Sequence, residues 1–212
     1  MKALDLLWLL GITTIALFLI NHDTNVMFVS ATKAHPYIMG FTKFAILATM
    51  GELLSIRIVK GDWQKPVGFL YRILVWGFIG LLTTLYFPIF ANGIVTLQQK
   101  GVLFGSGNAL FTAFVISLIM NTVVGPFIMA FHAFSDTFIE LKFTGLDCKL
   151  ENIISTMNHQ KVIGFLILKT IPFFWIPVHV ITFMLPPEYR ILMAAGLSIV
   201  LGVILGFTSR KK

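Results

Sequence analysis

Apolar and polar positions divide the chain into six long apolar stretches separated by short polar links. The stretches run from 4 to 20, 37 to 58, 67 to about 97, 108 to 141, 162 to 185 and 191 to 207. A helix needs roughly 20 apolar residues to cross the hydrocarbon of a bilayer. The first and last stretches are short but usable. The fourth is longer than one crossing requires. Pro36 and Pro66 stand where proline suits the start of a helix. Phe87-Pro88 and Gly125-Pro126 interrupt the third and fourth stretches, and Pro172 and Pro177 fall inside the fifth. This pattern predicts an all-α, polytopic transmembrane bundle of about six spans with proline-kinked helices. Between the fourth and fifth stretches, 146–161 reads as a short helix lying at the interface, with Ile153, Ile154 and Met157 on one side. No strand alternation or domain linker is present, so 1–212 reads as a single integral membrane domain. Residues 1–34 supply an added N-terminal span and loop, and 35–207 form the main bundle.

Composition strengthens this picture. Hydrophobic residues make up 57% of the 212 positions and charged residues 12%, whereas soluble domains have roughly 45–50% and about 25%. The net charge of +7 could suggest a nucleic-acid partner. The basic residues fall in the links between apolar spans, where they act as topology determinants, so the expected partner is a lipid bilayer and no nucleic acid. The single cysteine, Cys148, excludes an internal disulfide. The first stretch reads as an uncleaved signal anchor, because Asp5 does not suit a signal-peptide n-region and Val29-Ser30-Ala31 lies well past the apolar segment. With six spans, ten basic residues, among them Lys2, Arg57, Lys65, Lys142, Lys161, Lys211 and Lys212, share the side of both termini, and Lys33, Lys100 and Arg190 take the other. The positive-inside rule then places both termini in the cytoplasm.

Charge inside the spans carries the functional expectation. Each such group costs about 2.5–3.5 kcal/mol on insertion scales, so it must face protein or water and find partners. Lys43, Glu52, Arg72, His132, Asp136 and Lys169 lie within the spans, with Asn121 near mid-membrane and His179 toward the outer side. His132, Asp136 and Glu140 recur every four residues and share one helical stripe. The topology puts Glu52, Arg72, Asp136 and Lys169 at similar depth, which predicts an ion-paired layer near the inner mouth. Arg72 has a second reading, as a side chain snorkelling to the interface. Asp136 and Glu140 have another, among lipid headgroups. His132 beside Asp136 reads as structural, since no nucleophile, metal cluster or cofactor fingerprint accompanies it. No catalytic residue, metal site or cofactor is expected.

The tract Trp175, Pro177, His179, Thr182-Phe183 and Pro186-Pro187-Glu188-Tyr189-Arg190 resembles the C-terminal signature of the Mpv-seventeen and peroxisomal membrane protein family, W-P-x-x-Q-x-x-N-F followed by V-P-x-x-Y-R. Pro36 with Gly51-Glu52, Arg72 with Gly77, and Asn121-Thr122 with Pro126 follow in that family's order. The resemblance covers 36–207 and marks Trp175, Pro177, Phe183, Pro187, Tyr189 and Arg190 as motif positions. It implies a small membrane protein of the kind associated with weakly selective channels and metabolite passage; the short loops and the N-terminal signal anchor point to a bacterial plasma membrane, with an organellar one as the alternative. Intramembrane charge and kinking prolines point the same way, to a channel or facilitator for small hydrophilic solutes. A proton-coupled secondary transporter and a non-transporting scaffold are the alternatives. Homo-oligomerisation stays open.

Overall fold

A computed structural model describes residues 3–210, with side chains described to Phe207. Lys2, Lys211 and Lys212, which enter the topology count, lie outside the described residues. The helices are α1 (Ala3–Ile20), α2 (His22–Ala34), α3 (Pro36–Lys60), α4 (Phe69–Gln99), α5 (Ala109–Val123), α6 (Gly125–Phe143), α7 (Leu150–Thr156), a π-helical segment (Gln160–Trp175), α8 (Ile176–Met184) and α9 (Pro187–Arg210). No strand occurs among the described residues. Five helical stretches are long and apolar enough to cross a membrane, and α5 with α6, bent by 43° at their junction, makes a sixth if counted as one span. The outer surface is strongly apolar, with Ile20, Phe104 and Phe173 all more than three-quarters exposed. Such a surface has no counterpart in a soluble bundle, and it identifies an integral membrane protein.

The centre of the bundle is α3, held between α4 and α9. Without a hydrophobic drive between helices in lipid, association rests on close packing, and small residues let backbones approach. Gly40 and Gly80 face each other where α3 crosses α4, and a β-carbon on either would meet the other helix's backbone. Further along, a β-carbon on Gly51 would lie 2.6 Å from the Ser198 carbonyl oxygen, and Gly202 rests against Gly51 itself. The two glycine crossings therefore set where α3 sits. The core around them includes Phe44, Leu47, Ala48, Ile79, Phe87, Met120 and Ala195.

The N-terminal span is peripheral, with no buried residue. It is fastened at one end. Asp5 accepts a bidentate pair from Arg57, at 2.9 Å from Nε and 3.1 Å from Nη2, and a third bond from Trp63 Nε1 at 2.7 Å. Midway, Trp8 Nε1 donates to the Met50 carbonyl at 3.2 Å. The sequence-level loop after this span is instead helical. Asn21 caps α2 by accepting from the Asp23 and Thr24 amides at 3.1 and 3.3 Å, a side-chain oxygen replacing absent helical partners.

Three further expectations need correction. Pro88 does not break α4, which runs unbroken for 31 residues. Membrane helices tolerate proline where neighbouring packing holds the helix. The interfacial helix is only α7, with Ile153 buried but Ile154 exposed. The fifth span is α-helical only from Ile176. Before that, backbone bonds run five residues back, as in the Ile176 amide to the Ile171 carbonyl, a winding that displaces side chains from α-helical register.

The α3 crossing has a direct test. Gly51→Ala should destabilise the protein by about 1–3 kcal/mol through overpacking. Gly93→Ala, where nothing lies within 4 Å of the added carbon, should be neutral or stabilising. Thermal unfolding of both variants in the same detergent checks this.

Candidate functional site

One guanidinium gathers three helices. Arg72 on α4 donates through Nη1 to Glu52 Oε1 of α3 at 3.1 Å and to Asp136 Oδ1 of α6 at 2.8 Å. Its Nε donates to the Val67 carbonyl at 2.9 Å. Trp76, one turn along, donates to the other Glu52 oxygen at 2.9 Å. His132 Nδ1 stands 3.5 Å from Asp136 Oδ2, and its ring lies 4.2 Å from that of Trp76. The i,i+4 spacing of Arg72 with Trp76 and of His132 with Asp136 puts each pair on one stripe. Gly68 lets these stripes meet. It takes φ 64° at the start of α4, and an added β-carbon would collide with Ile139 and Phe143 of α6.

The carboxylates face a cavity of about 460 Å³. Glu52, His132, Asp136 and Glu140 line it, whereas Arg72 stands behind the wall. Exposed Glu140, Thr156, Asn158 and Lys161 form its open end. Its closed end is formed by Thr83, Phe87, Met120, Asn121 and His179, all buried, with Trp175 beside them. The polar groups there form a chain. Ser117 Oγ donates to the Ile176 carbonyl at 2.7 Å, where π-helix passes into α8. Asn121 Nδ2 donates to the Ser117 carbonyl at 2.8 Å. That bond orients the Asn121 amide, so His179 Nδ1 donates to Asn121 Oδ1 at 3.1 Å. With Nδ1 carrying the proton, neutral His179 holds Nε2 as an acceptor. Nε2 is buried without a partner, as is Trp175 Nε1. Buried polar groups are usually satisfied, so these two atoms set the closed end apart from ordinary packing.

A second cavity, of about 490 Å³, lies at the other end of the bundle and is lined by Asn92, Gln98, Thr112, Phe183, Pro187 and Arg190, among others. The two lie end to end on the same elements. The first cavity stops at Phe87 on α4, Met120 on α5, His179 on α8 and Ala194 on α9, and the second starts at Ala91, Ile116, Phe183 and Arg190. Each step is four residues, one helical turn or about 6 Å. The septum between them contains Phe87 and Phe183, buried and with ring centroids 5.0 Å apart. His179 lies 5.5 Å from Phe87 on one side, and the Arg190 guanidinium 5.6 Å from Phe183 on the other.

The residues singled out from sequence divide by position. Glu52, Asn121, His132, Asp136 and His179 line the first cavity, and Arg72 anchors it. Lys169 does not join the layer. It is exposed on the outside of the π-helical segment, without an ion pair among the described residues. The α-helical spacing behind that expectation does not apply in the π-helical segment. Lys43 is buried at the opposite end and lines neither cavity. Its ammonium donates to Thr32 Oγ1 at 3.0 Å and to the Glu188 carbonyl at 3.5 Å, and sits 4.4 Å above the Phe28 ring. Among the motif positions, Trp175 lines the first cavity, Phe183 forms the septum, and Pro187 and Arg190 line the second. Pro177 opens α8, and Tyr189 donates to Asn25 Oδ1 at 2.7 Å. Sequence reasoning missed Trp76 and Phe87. Trp76 had a signal in its four-residue spacing from Arg72. Phe87 had none among 21 phenylalanines.

Removing one partner of a buried charge network costs about 3–5 kcal/mol, because the remaining charges stay behind. Arg72→Gln should therefore destabilise the protein by that order, and Glu52→Gln with Asp136→Asn added in the same chain should recover part of the loss. Denaturant titrations in mixed micelles compare the two. No family model, curated protein sequence or solved structure matches the chain.

Proposed function

We propose that the protein is a channel or facilitator passing small hydrophilic solutes along the axis that joins its two cavities. The observation that carries this reading is the septum, one turn thick on four elements, with a largely apolar cavity that carries several polar side chains on each side. Apolar constrictions gate pores by excluding water, and the Phe87–Phe183 pair has that form in a closed state. In the orientation that the basic links favour, the Glu140 end faces the cytoplasm and the Arg190 end the opposite side. Solutes meet Glu52, Asp136 and His132 first, then the Asn121–His179 end, then the aromatic pair.

A second reading, a proton-coupled transporter, is favoured by the contact of His132 with Asp136, since ionisable groups within spans serve as proton relays. Uptake that responds to an imposed proton gradient would select it over passive passage.

The septum decides the leading reading. Phe87→Ala with Phe183→Ala removes the ring pair. Lowering the barrier by about 1.4 kcal/mol raises flux about tenfold. Solute release from liposomes holding the double variant should exceed wild type by that order across a panel of small solutes. Equal release, with the variant folded by its unfolding profile, contradicts passage along this axis.

A further inference from the structure

We propose that the first cavity is a binding site for organic ammonium ions that carry an apolar body and a second hydrogen-bond donor at the far end. The inference rests on the passage reading and replaces its general class of hydrophilic solutes with one amphiphilic class, a cationic head on an apolar body. Its first ground is charge. Three carboxylates line this cavity, Glu52, Asp136 and Glu140, against one basic side chain, Lys161 at the rim. Arg72 bridges Glu52 and Asp136 from behind the wall. Lys161 and Arg72 cancel two of the three carboxylates, one negative charge is left over, and a bound monovalent cation balances it. Uncompensated charge within a span is costly, so occupancy by a cation stabilises the site.

The second ground is the wall. Trp76, Tyr86 and Trp175 line the cavity together with aliphatic side chains. Cations bind favourably against aromatic faces, and a volume of about 460 Å³ falls among the roughly 300–1,000 Å³ of small-molecule sites. A bare metal ion fits poorly, because no group of three His, Cys, Asp or Glu side chains converges on a metal-sized point among the described residues.

The third ground is the closed end. The His179 ring is 95% buried (5% exposed), lines the cavity, and leaves Nε2 as an acceptor without a partner. A hydroxyl on the far end of the ligand donates to this atom and offers its oxygen to Trp175 Nε1, the unpartnered donor that also lines this end, while the ammonium stays with the carboxylates.

Isothermal titration with the full-length protein in zwitterionic nanodiscs tests this, with heats of empty nanodiscs subtracted. Three probes share one body: tyramine has the ammonium and the hydroxyl donor, phenethylamine lacks the hydroxyl, and hydroxyphenylpropionate carries an anion instead. Tyramine should bind more tightly than phenethylamine, and the anion should not bind. Glu140→Gln, at an exposed position outside the Arg72 network, should weaken both amines about tenfold, one 1.4 kcal/mol step. His179→Phe should abolish the preference for tyramine. Binding of the anion at least as tight as of the amines, no binding of either amine, or full affinity in Glu140→Gln overturns the cation site. Equal affinity of the two amines for wild type overturns the His179 contact. Solute release that persists without amine binding removes the solute class and leaves the passage reading intact. Amine binding without solute release does the reverse.

Discussion

Charge in an apolar medium must be paired, and here one guanidinium satisfies two carboxylates on different helices. Arg72 ties α4 to Glu52 on α3 and to Asp136 on α6. Both carboxylates accept from the single nitrogen Nη1, while Nε is held by the Val67 carbonyl, so the planar guanidinium is fixed in place as it bridges them. The arrangement leaves the carboxylates exposed to the cavity and the cation behind it. The same network thus holds three helices and gives the cavity its sign.

The network depends on how the helices approach. Gly51 lies against the backbone of α9, and its neighbour Glu52 is thereby turned toward Arg72 and Trp76. Gly40 and Gly80 bring α3 against α4 one crossing further along. Gly68 brings the start of α4 against α6. Small residues decide the positions of large charged ones. At the closed end, Ser117, Asn121 and His179 link α5 to α8 across the junction of π-helix and α-helix. The orphaned Nε2 follows from this chain, because the single proton of a neutral imidazole is already committed to Asn121.

Much of the helical pattern was legible because apolar length is a strong signal. Five helices that can cross a membrane, with the bent α5–α6 pair as a sixth candidate, lie close to the six apolar stretches. Glu52, Arg72 and Asp136 were legible together, since matching depth and opposite charge leave few other partners within a bundle. Lys169 was misplaced because its direction depended on a π-helical winding that residue spacing does not reveal. The loop assigned to the end of 1–34 hid α2, although Asn21 before Asp23 is a helix-start signal. The second cavity was not legible at all. It arises where the turn through Gly101, Gly105 and Gly107, each with positive φ, returns the chain to α5, and apolar periodicity carries no trace of such an end-to-end alignment.

The proposed passage requires the two cavities to open to water on opposite sides of the membrane, divided by a single turn of helix. Sided labelling tests that claim most directly. In a Cys148→Ser background, Met129→Cys places a thiol in the first cavity and Asn92→Cys places one in the second. A membrane-impermeant thiol reagent applied to right-side-out and inverted vesicles should label the two from opposite sides. Labelling of both thiols from the same side, or protection of either from both sides, would contradict the account.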